Sequence, residues 1–499
     1  MHGIRYDRWI LPSRHRIPMA SRPSAPPSLT EGPIGRRLLM FSLPILASNI
    51  LQSLNGSINA FWIGHYFGEA ALLATGNVTL ILFLALSAVF GIGMACTILV
   101  GQAMGARDMA AAQRVAGTGA VFFLAVASLF AVIGDLGVDA ILRMLETPAT
   151  SLPYAHDYLK VIFIAMPAMF FFTFLMMALR GAGDAKTPFL FMLLSVMLDI
   201  VLNPLLMFGW GPIPALGITG SATATLIGQS FSVLALLATL YHRRHPLCLR
   251  GPALAYLVPD PVIVKALVGK GLPMGLQMIG ISSSAIFMMR LVNTYGTDTG
   301  AAYNAAVQLW TYVQMPAMAI GAAVSAMAAQ NVGAGQWHRI TQIARSGLLI
   351  NLLLTGTLVI VIYLAGAWAM RLFLPAGSPA IAAALHLNAI VLWTFVLFGL
   401  TFILFGIVRS TGAVWPPLII LVIAMWLVRP PFAILLRPYW GVDAVWWSFP
   451  VGSVVAVGLA WAYYRWGHWR AAHMLPPSRL SSPLGERHLD GDKNGKTAS

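Results

Sequence analysis

Apolar residues in this chain run in blocks of about 20, the length at which a helix covers roughly 30 Å of hydrocarbon. The blocks lie near 38–63, 72–101, 115–134, 158–180, 188–209 and 217–241, and again near 271–293, 301–329, 343–367, 381–408, 415–436 and 444–466. They predict about twelve membrane-spanning helices, because lipid offers no partner to a free backbone amide and a helix satisfies its own. The second set repeats the first. Residues 99–121 return as 327–349, so that Gln102, Gly105, Ala106, Ala116 and Gly119 fall on Gln330, Gly333, Ala334, Ala344 and Gly347. Nearly the same offset carries Leu43-Pro44 onto Leu272-Pro273, and Arg180, Gly183 and Pro188 onto Arg409, Gly412 and Pro417. The expected fold class is all-α integral membrane: two homologous six-helix bundles around a central cleft, a plan suited to alternating access in a transporter.

The polar stretches set the expected boundaries. Residues 1–35 read as a disordered cytoplasmic extension, 36–242 as the first lobe and 243–268 as a linker containing Pro246, Pro252, Pro259 and Pro261. Residues 269–467 read as the second lobe and 468–499 as a disordered cytoplasmic tail. Composition fits lipid as solvent, with 58% hydrophobic residues, 9% charged and a mean hydropathy of +0.78. The net charge of +15 is scattered over alternate loops rather than gathered on one face, which argues against nucleic-acid binding. Its placement follows the positive-inside pattern, with both termini cytoplasmic and the chain in the cell (inner) membrane. Cys96 and Cys248 form neither a disulfide framework nor a metal site. His65, His156 and His386 stand alone near helix ends, and no mid-span nucleophile, base or metal cluster supports an enzyme.

Acids at membrane depth are the informative minority, since one at the bilayer centre costs about 2.5–3.5 kcal/mol on the insertion scale. Asp199 alone sits well inside a span. Ser195 and Asn203 flank it one turn away on the same helix face, and Pro204 follows, freeing a carbonyl at that depth. Such a set offers hard oxygens to Na⁺ or a protonation site; the competing reading is an acid that only fixes packing. Ser48, Gln52, Asn55 and Asn59 make a polar stripe on the first helix, and Ser221, Thr225 and Gln229 another on the sixth. Both stripes fit packing hydrogen bonds as well as a hydrated pocket. In the second half, Gln277, Asn304, Gln308 and Thr311, with Met315 and Met318 nearby, are candidates for a substrate path. The turn RGAGDAKTP at 180–188 lacks the spacing of a phosphate-binding loop and reads as structural, so no ATP-driven motor is encoded.

Taken in order, Leu43-Pro44, the GQAMGARD run, RGAGDAKTP, LDIVLNPLLMFG at 198–209, ALGITGSATATLIGQ at 215–229 and AAQNVGAG at 328–335 resemble the prokaryotic multidrug and toxic compound extrusion (MATE) transporters. The resemblance covers roughly residues 36 to 467. It implies a secondary antiporter exporting cationic or amphipathic small organic compounds in exchange for H⁺ or Na⁺, without a cofactor and able to work as a monomer in lipid. It places the coupling ion at Asp199 and Asn203, with Ser221 or Thr225 as the neighbouring hydroxyl; Pro44, by its effect on the helix ladder, is the hinge candidate in the first helix. Gln52, Asn55, Asn59, Gln277, Asn304 and Gln308 are then the candidate cavity residues. Many members carry an Asp where this chain has Asn59, and the NorM-like branch carries a Glu near Ile281; the DinF-like branch is the closer analogy. The alternative function is a flippase or exporter of a lipid-linked or natural-product intermediate.

Overall fold

A computed structural model describes residues 29–475 apart from 213, 372 and 376, so the expectations for 1–28 and 476–499 lie outside the described residues. The chain runs through α1 (Ile34–Gly105), α2 (Met109–Leu136), α3 (Val138–Met144), α4 (Leu152–Gly181), α5 (Lys186–Phe208) and α6 (Ile218–His242). The second repeat holds α7 (Pro261–Asn293), α8 (Thr297–Gly333), α9 (Trp337–Arg371), α10 (Ala380–Val391), α11 (Thr394–Ser410), α12 (Trp415–Val422), α13 (Arg429–Trp440) and α14 (Asp443–Trp466).

Straight, the 72 residues of α1 would reach about 108 Å at 1.5 Å per residue, far beyond one bilayer. The backbone leaves the helical region at Gly68 (φ 78°, ψ −173°), a conformation that glycine adopts without a Cβ clash. Residues 34–67 and 69–105 are therefore two spans. Ten helices among the described residues are long and apolar enough to cross a membrane, and α10 with α11, bent by 43°, makes an eleventh. With α1 counted as two, the crossings number twelve. The bend divides the block expected as one helix over 381–408, and a π-helical stretch, Ile423–Val428, interrupts the eleventh crossing between α12 and α13.

The two ends of the described stretch, Leu29 and Leu475, lie at the same end of the molecule, here called the basic end. There the expected boundaries need correction. The linker ends at Asp260, eight residues early, because the Asp260 carboxylate caps α7 by accepting from the Val262 amide at 2.9 Å. The linker is strapped onto α2: Gln113 Nε2 donates to the Pro246 carbonyl at 2.8 Å, Arg114 lies 3.7 Å from Asp260, and its guanidinium stands over the Tyr256 ring. Residues 29–33 are not loose either. Leu29 is buried, its amide donates to Gln330 Oε1 and its carbonyl accepts from Asn331 Nδ2, while Arg339 holds the Gly32 carbonyl. Residues 468–475 likewise pack, burying Trp469 and Met474.

Two features tie the repeats together. The first is an exchange of helices. Leu38, Phe41 and Ile45 of α1 share a core with Ala323, Ile343 and Ile403 of the second repeat. Reciprocally, Ile263, Leu267 and Met274 of α7 share one with Met94, Phe123 and Phe174 of the first. The second feature is a symmetric latch at the basic end. Gln102 Nε2 donates to the Ser410 carbonyl at 2.7 Å, and Gln330 Nε2 donates to the Gly181 carbonyl at 2.9 Å. A Cβ on Gly105 would lie 1.8 Å from the Gln330 oxygen, and one on Gly333 would lie 1.9 Å from the Gln102 oxygen. The repeated Gln and Gly thus meet across a pseudo-two-fold axis, where only a residue without a side chain fits.

Candidate functional site

Helix α5 brings Asp199 into the first lobe at 2% exposure. Gly228 lets α6 approach: a Cβ there would stand 3.3 Å from the Ser195 carbonyl and 3.7 Å from the Asp199 amide. Across this close contact Thr225 Oγ1 donates to Asp199 Oδ1 at 3.0 Å. From α1, Asn59 Nδ2 donates to Asp199 Oδ2 at 3.0 Å, and the Asn55 side chain stands beside the carboxylate. Asn203, one turn beyond Asp199, donates through Nδ2 to Asn59 Oδ1. Among the described residues no Lys, Arg or His lies within ion-pair distance of Asp199.

The surroundings are rich in oxygen and short of donors. Asn55 Oδ1, Asn203 Oδ1, Ser221 Oγ and Gln229 Oε1 are all buried without a hydrogen-bond partner. Buried acceptors left unpaired are costly, and here they gather around or near the one mid-span acid. Pro204, without an amide hydrogen, denies the Ile200 carbonyl its ladder donor at the same depth. Tyr158 of α4, which sequence reasoning missed, stands beside Ser221 within electrostatic reach of Asp199. A tyrosine two turns into an apolar helix carries no signal of that role.

The predicted residues divide into three groups. Asp199, Asn203, Thr225 and Asn59 form one network with Asn55 beside it, so Asn55 and Asn59 belong to the acid rather than to the substrate cavity expected for them. Thr225, not Ser221, makes the hydroxyl contact. Gln52 alone of the six candidate cavity residues lines the space between the lobes, a cavity of about 400 Å³. Its walls also include Asn49, Ser53, Met94 and Arg180 from the first repeat and Thr311, Gln314, Met315 and Met318 of α8. Gln277 is buried in the second lobe with its Oε1 3.5 Å from Arg409 Nη1. Asn304 and Gln308 are exposed on α8, away from that cavity. Pro44 lies within helical α1, where the Ser48 hydroxyl donates to its carbonyl at 2.8 Å. In RGAGDAKTP the Asp184 carboxylate caps α5, accepting from the amides of Lys186 and Thr187.

The MatE family model matches twice, over residues 44–205 and 273–435, with starts 229 residues apart, the offset that carries Pro44 onto Pro273. This chain belongs to the MATE family. It is 35% identical over 450 residues to the probable multidrug resistance protein YoeA of Bacillus subtilis, covering 90% of this chain and 96% of that one. It is 30% identical to YpnP, another probable multidrug resistance protein of B. subtilis, over 89% of this chain and 98% of that one. A crystal structure of a MATE protein in a bent conformation superimposes with a TM-score of 0.81 at 20% identity, covering 88% of this chain and 96% of the other. The MATE protein described here is thus a multi-pass membrane transporter of a multidrug-efflux family, built as two six-helix lobes.

Proposed function

We propose that this MATE transporter exports amphipathic organic compounds in exchange for H⁺ or Na⁺ bound at Asp199, with its basic end in the cytoplasm of the cell that holds it in its inner membrane. One observation carries the reading: a buried carboxylate with no cationic partner, set among orphaned oxygen acceptors. Na⁺ supplies what those oxygens lack, and protonation does so differently, by turning the carboxyl into a donor for one of them. Either event changes what holds Asn55 and Asn59, hence what holds α1.

Helix α1 joins the two sites. It carries Asn55 and Asn59 to Asp199, Asn49, Gln52 and Ser53 to the interlobe cavity, and Leu38, Phe41 and Ile45 into the core shared with the second repeat. Pro44, whose ring removes one ladder hydrogen bond, lies between the anchored base and the ion site. Ion occupancy at Asp199 biases α1, and α1 biases the lobes between open and closed at the basic end, closed here by the Gln102 and Gln330 latch. The latch must break for substrate to enter from that side.

The test is efflux from everted vesicles under separately imposed pH and Na⁺ gradients, wild type against Asp199→Asn. The variant keeps the volume and one acceptor oxygen but loses the charge, and gradient-driven flux should vanish. Undiminished flux would remove Asp199 from coupling, and the gradient that drives the wild type identifies the ion.

A further inference from the structure

We infer that the interlobe cavity of this transporter binds an organic anion, an apolar body whose oxyanion docks on Arg180. Arg180, in the last turn of α4, lines the cavity yet is 8% exposed, and its Nε is buried with no acceptor. Among the described residues no carboxylate pairs with it, and none of the cavity's lining residues is acidic. A guanidinium stays charged and presents donors in a planar fork that matches a carboxylate or phosphate. Buried without a partner it is unfavourable, so a site that keeps it fits a visiting anion.

The repeat provides an internal comparison. Its mate Arg409 is also buried but is satisfied: Nε donates to the Phe405 carbonyl at 3.1 Å, and Nη1 lies 3.5 Å from Gln277 Oε1. At the offset that carries Arg180 onto Arg409, Gln277 corresponds to Ser48, whose short hydroxyl is engaged by the Pro44 carbonyl. Arg409 is therefore tied down as structure, and Arg180 is left with its donors toward the cavity. Around it Phe83, Phe90, Met177 and Met315 form an apolar, polarizable wall for the body of the ligand, and Asn49 and Gln52 supply neutral hydrogen-bonding groups. This departs from the cationic substrate expected from Asp199, which does not line this cavity.

The inference takes the interlobe cavity as the substrate site and is otherwise independent of ion coupling. Fluorescence anisotropy on the full chain in nanodiscs, with carboxyfluorescein as the anionic probe and ethidium as the cationic one, tests it. Wild type should bind carboxyfluorescein, and Arg180→Gln should weaken it by roughly ten- to a hundredfold, the worth of a charged hydrogen-bonded contact. Arg180→Lys, which keeps the charge without the fork, should fall between. Ser48→Gln installs the restraint that Arg409 has and should also weaken the anion while keeping the arginine, so the test survives if Arg180→Gln does not assemble. Asp199→Asn should retain carboxyfluorescein binding even as it loses gradient-driven flux, which separates this proposal from the coupling one. Equal carboxyfluorescein affinity in wild type and Arg180→Gln, an unchanged affinity in Ser48→Gln, or binding of ethidium alone would each overturn it.

Discussion

Gly105→Ala is the sharpest probe of how the lobes close. Within a helix, alanine is favoured over glycine by about 0.8–1.0 kcal/mol, so any loss must come from the contact across the axis. The added methyl would sit 1.8 Å from the Gln330 backbone oxygen, and because both sides are helix backbone the lobes must part. Overpacking of this kind costs about 1–3 kcal/mol. The Gln102 and Gln330 hydrogen bonds beside it are worth about 0.5–1.5 kcal/mol each when stretched or lost. A shift of about 3 kcal/mol away from the closed state raises an open population more than a hundredfold. Replacing Cys96 and Cys248 and placing a single cysteine at Ala329, which is fully buried against Gly101, turns opening into a rate of labelling by a polar maleimide. That rate should rise about a hundredfold in Gly105→Ala. It should not change in Gly356→Ala, where nothing lies within 4 Å of the new methyl. An unaltered labelling rate in Gly105→Ala would show that the axis contact does not hold this end shut.

Three other outcomes follow from the geometry. Thr225→Val removes the donor to Asp199 Oδ1 and should lower gradient-driven efflux roughly tenfold, whereas Thr225→Ser should retain most of it. Asn388→Leu strands the buried Trp310 Nε1, which now donates to Asn388 Oδ1 at 2.8 Å; thermal unfolding in detergent should report a loss of about 1–3 kcal/mol. In the linker, burial holds the His245 imidazole below its ordinary pKa of 6.5, against a smaller opposing pull from Asp184. A depressed pKa means that the docked form prefers the neutral ring, so docking is strongest above 6.5 and weakens as the pH falls below it. Hydrogen exchange over 245–258 should therefore accelerate on acidification, and His245→Ala should flatten that dependence.

The duplicated helical plan is legible in the sequence because apolar blocks and the Gln-Gly repeat are local signals. The Asp199, Asn203 and Thr225 set was legible for a related reason, since a polar residue stands out in an apolar run and a spacing of four fixes its face. What a face meets is a different matter. Asn59 has the same spacing whether it touches substrate or carboxylate, and only the packing of α1 against α5 sends it to Asp199. Polarity alone marks Gln277, Asn304 and Gln308 for a cavity, but the rotation of α7 and α8 turns the first inward to Arg409 and the others outward. Tyr158 and the division of α10 from α11 gave no sequence signal. Residues 29–33 and 468–475 are short and polar enough to pass for tails, yet partners hundreds of residues away hold Leu29 and Thr411 pins the Trp469 carbonyl.

The exchange of first helices between repeats means that neither half is a self-sufficient module. A fragment ending near residue 242 would present the bare side of Leu38, Phe41 and Ile45 with nothing to cover it, and would lack the Ile263, Leu267 and Met274 surface that seals its own core. Each half completes the other as a buckle completes a strap. An ancestral single copy with this arrangement would have had to pair with a twin, trading opening helices, before fusion made the partnership permanent.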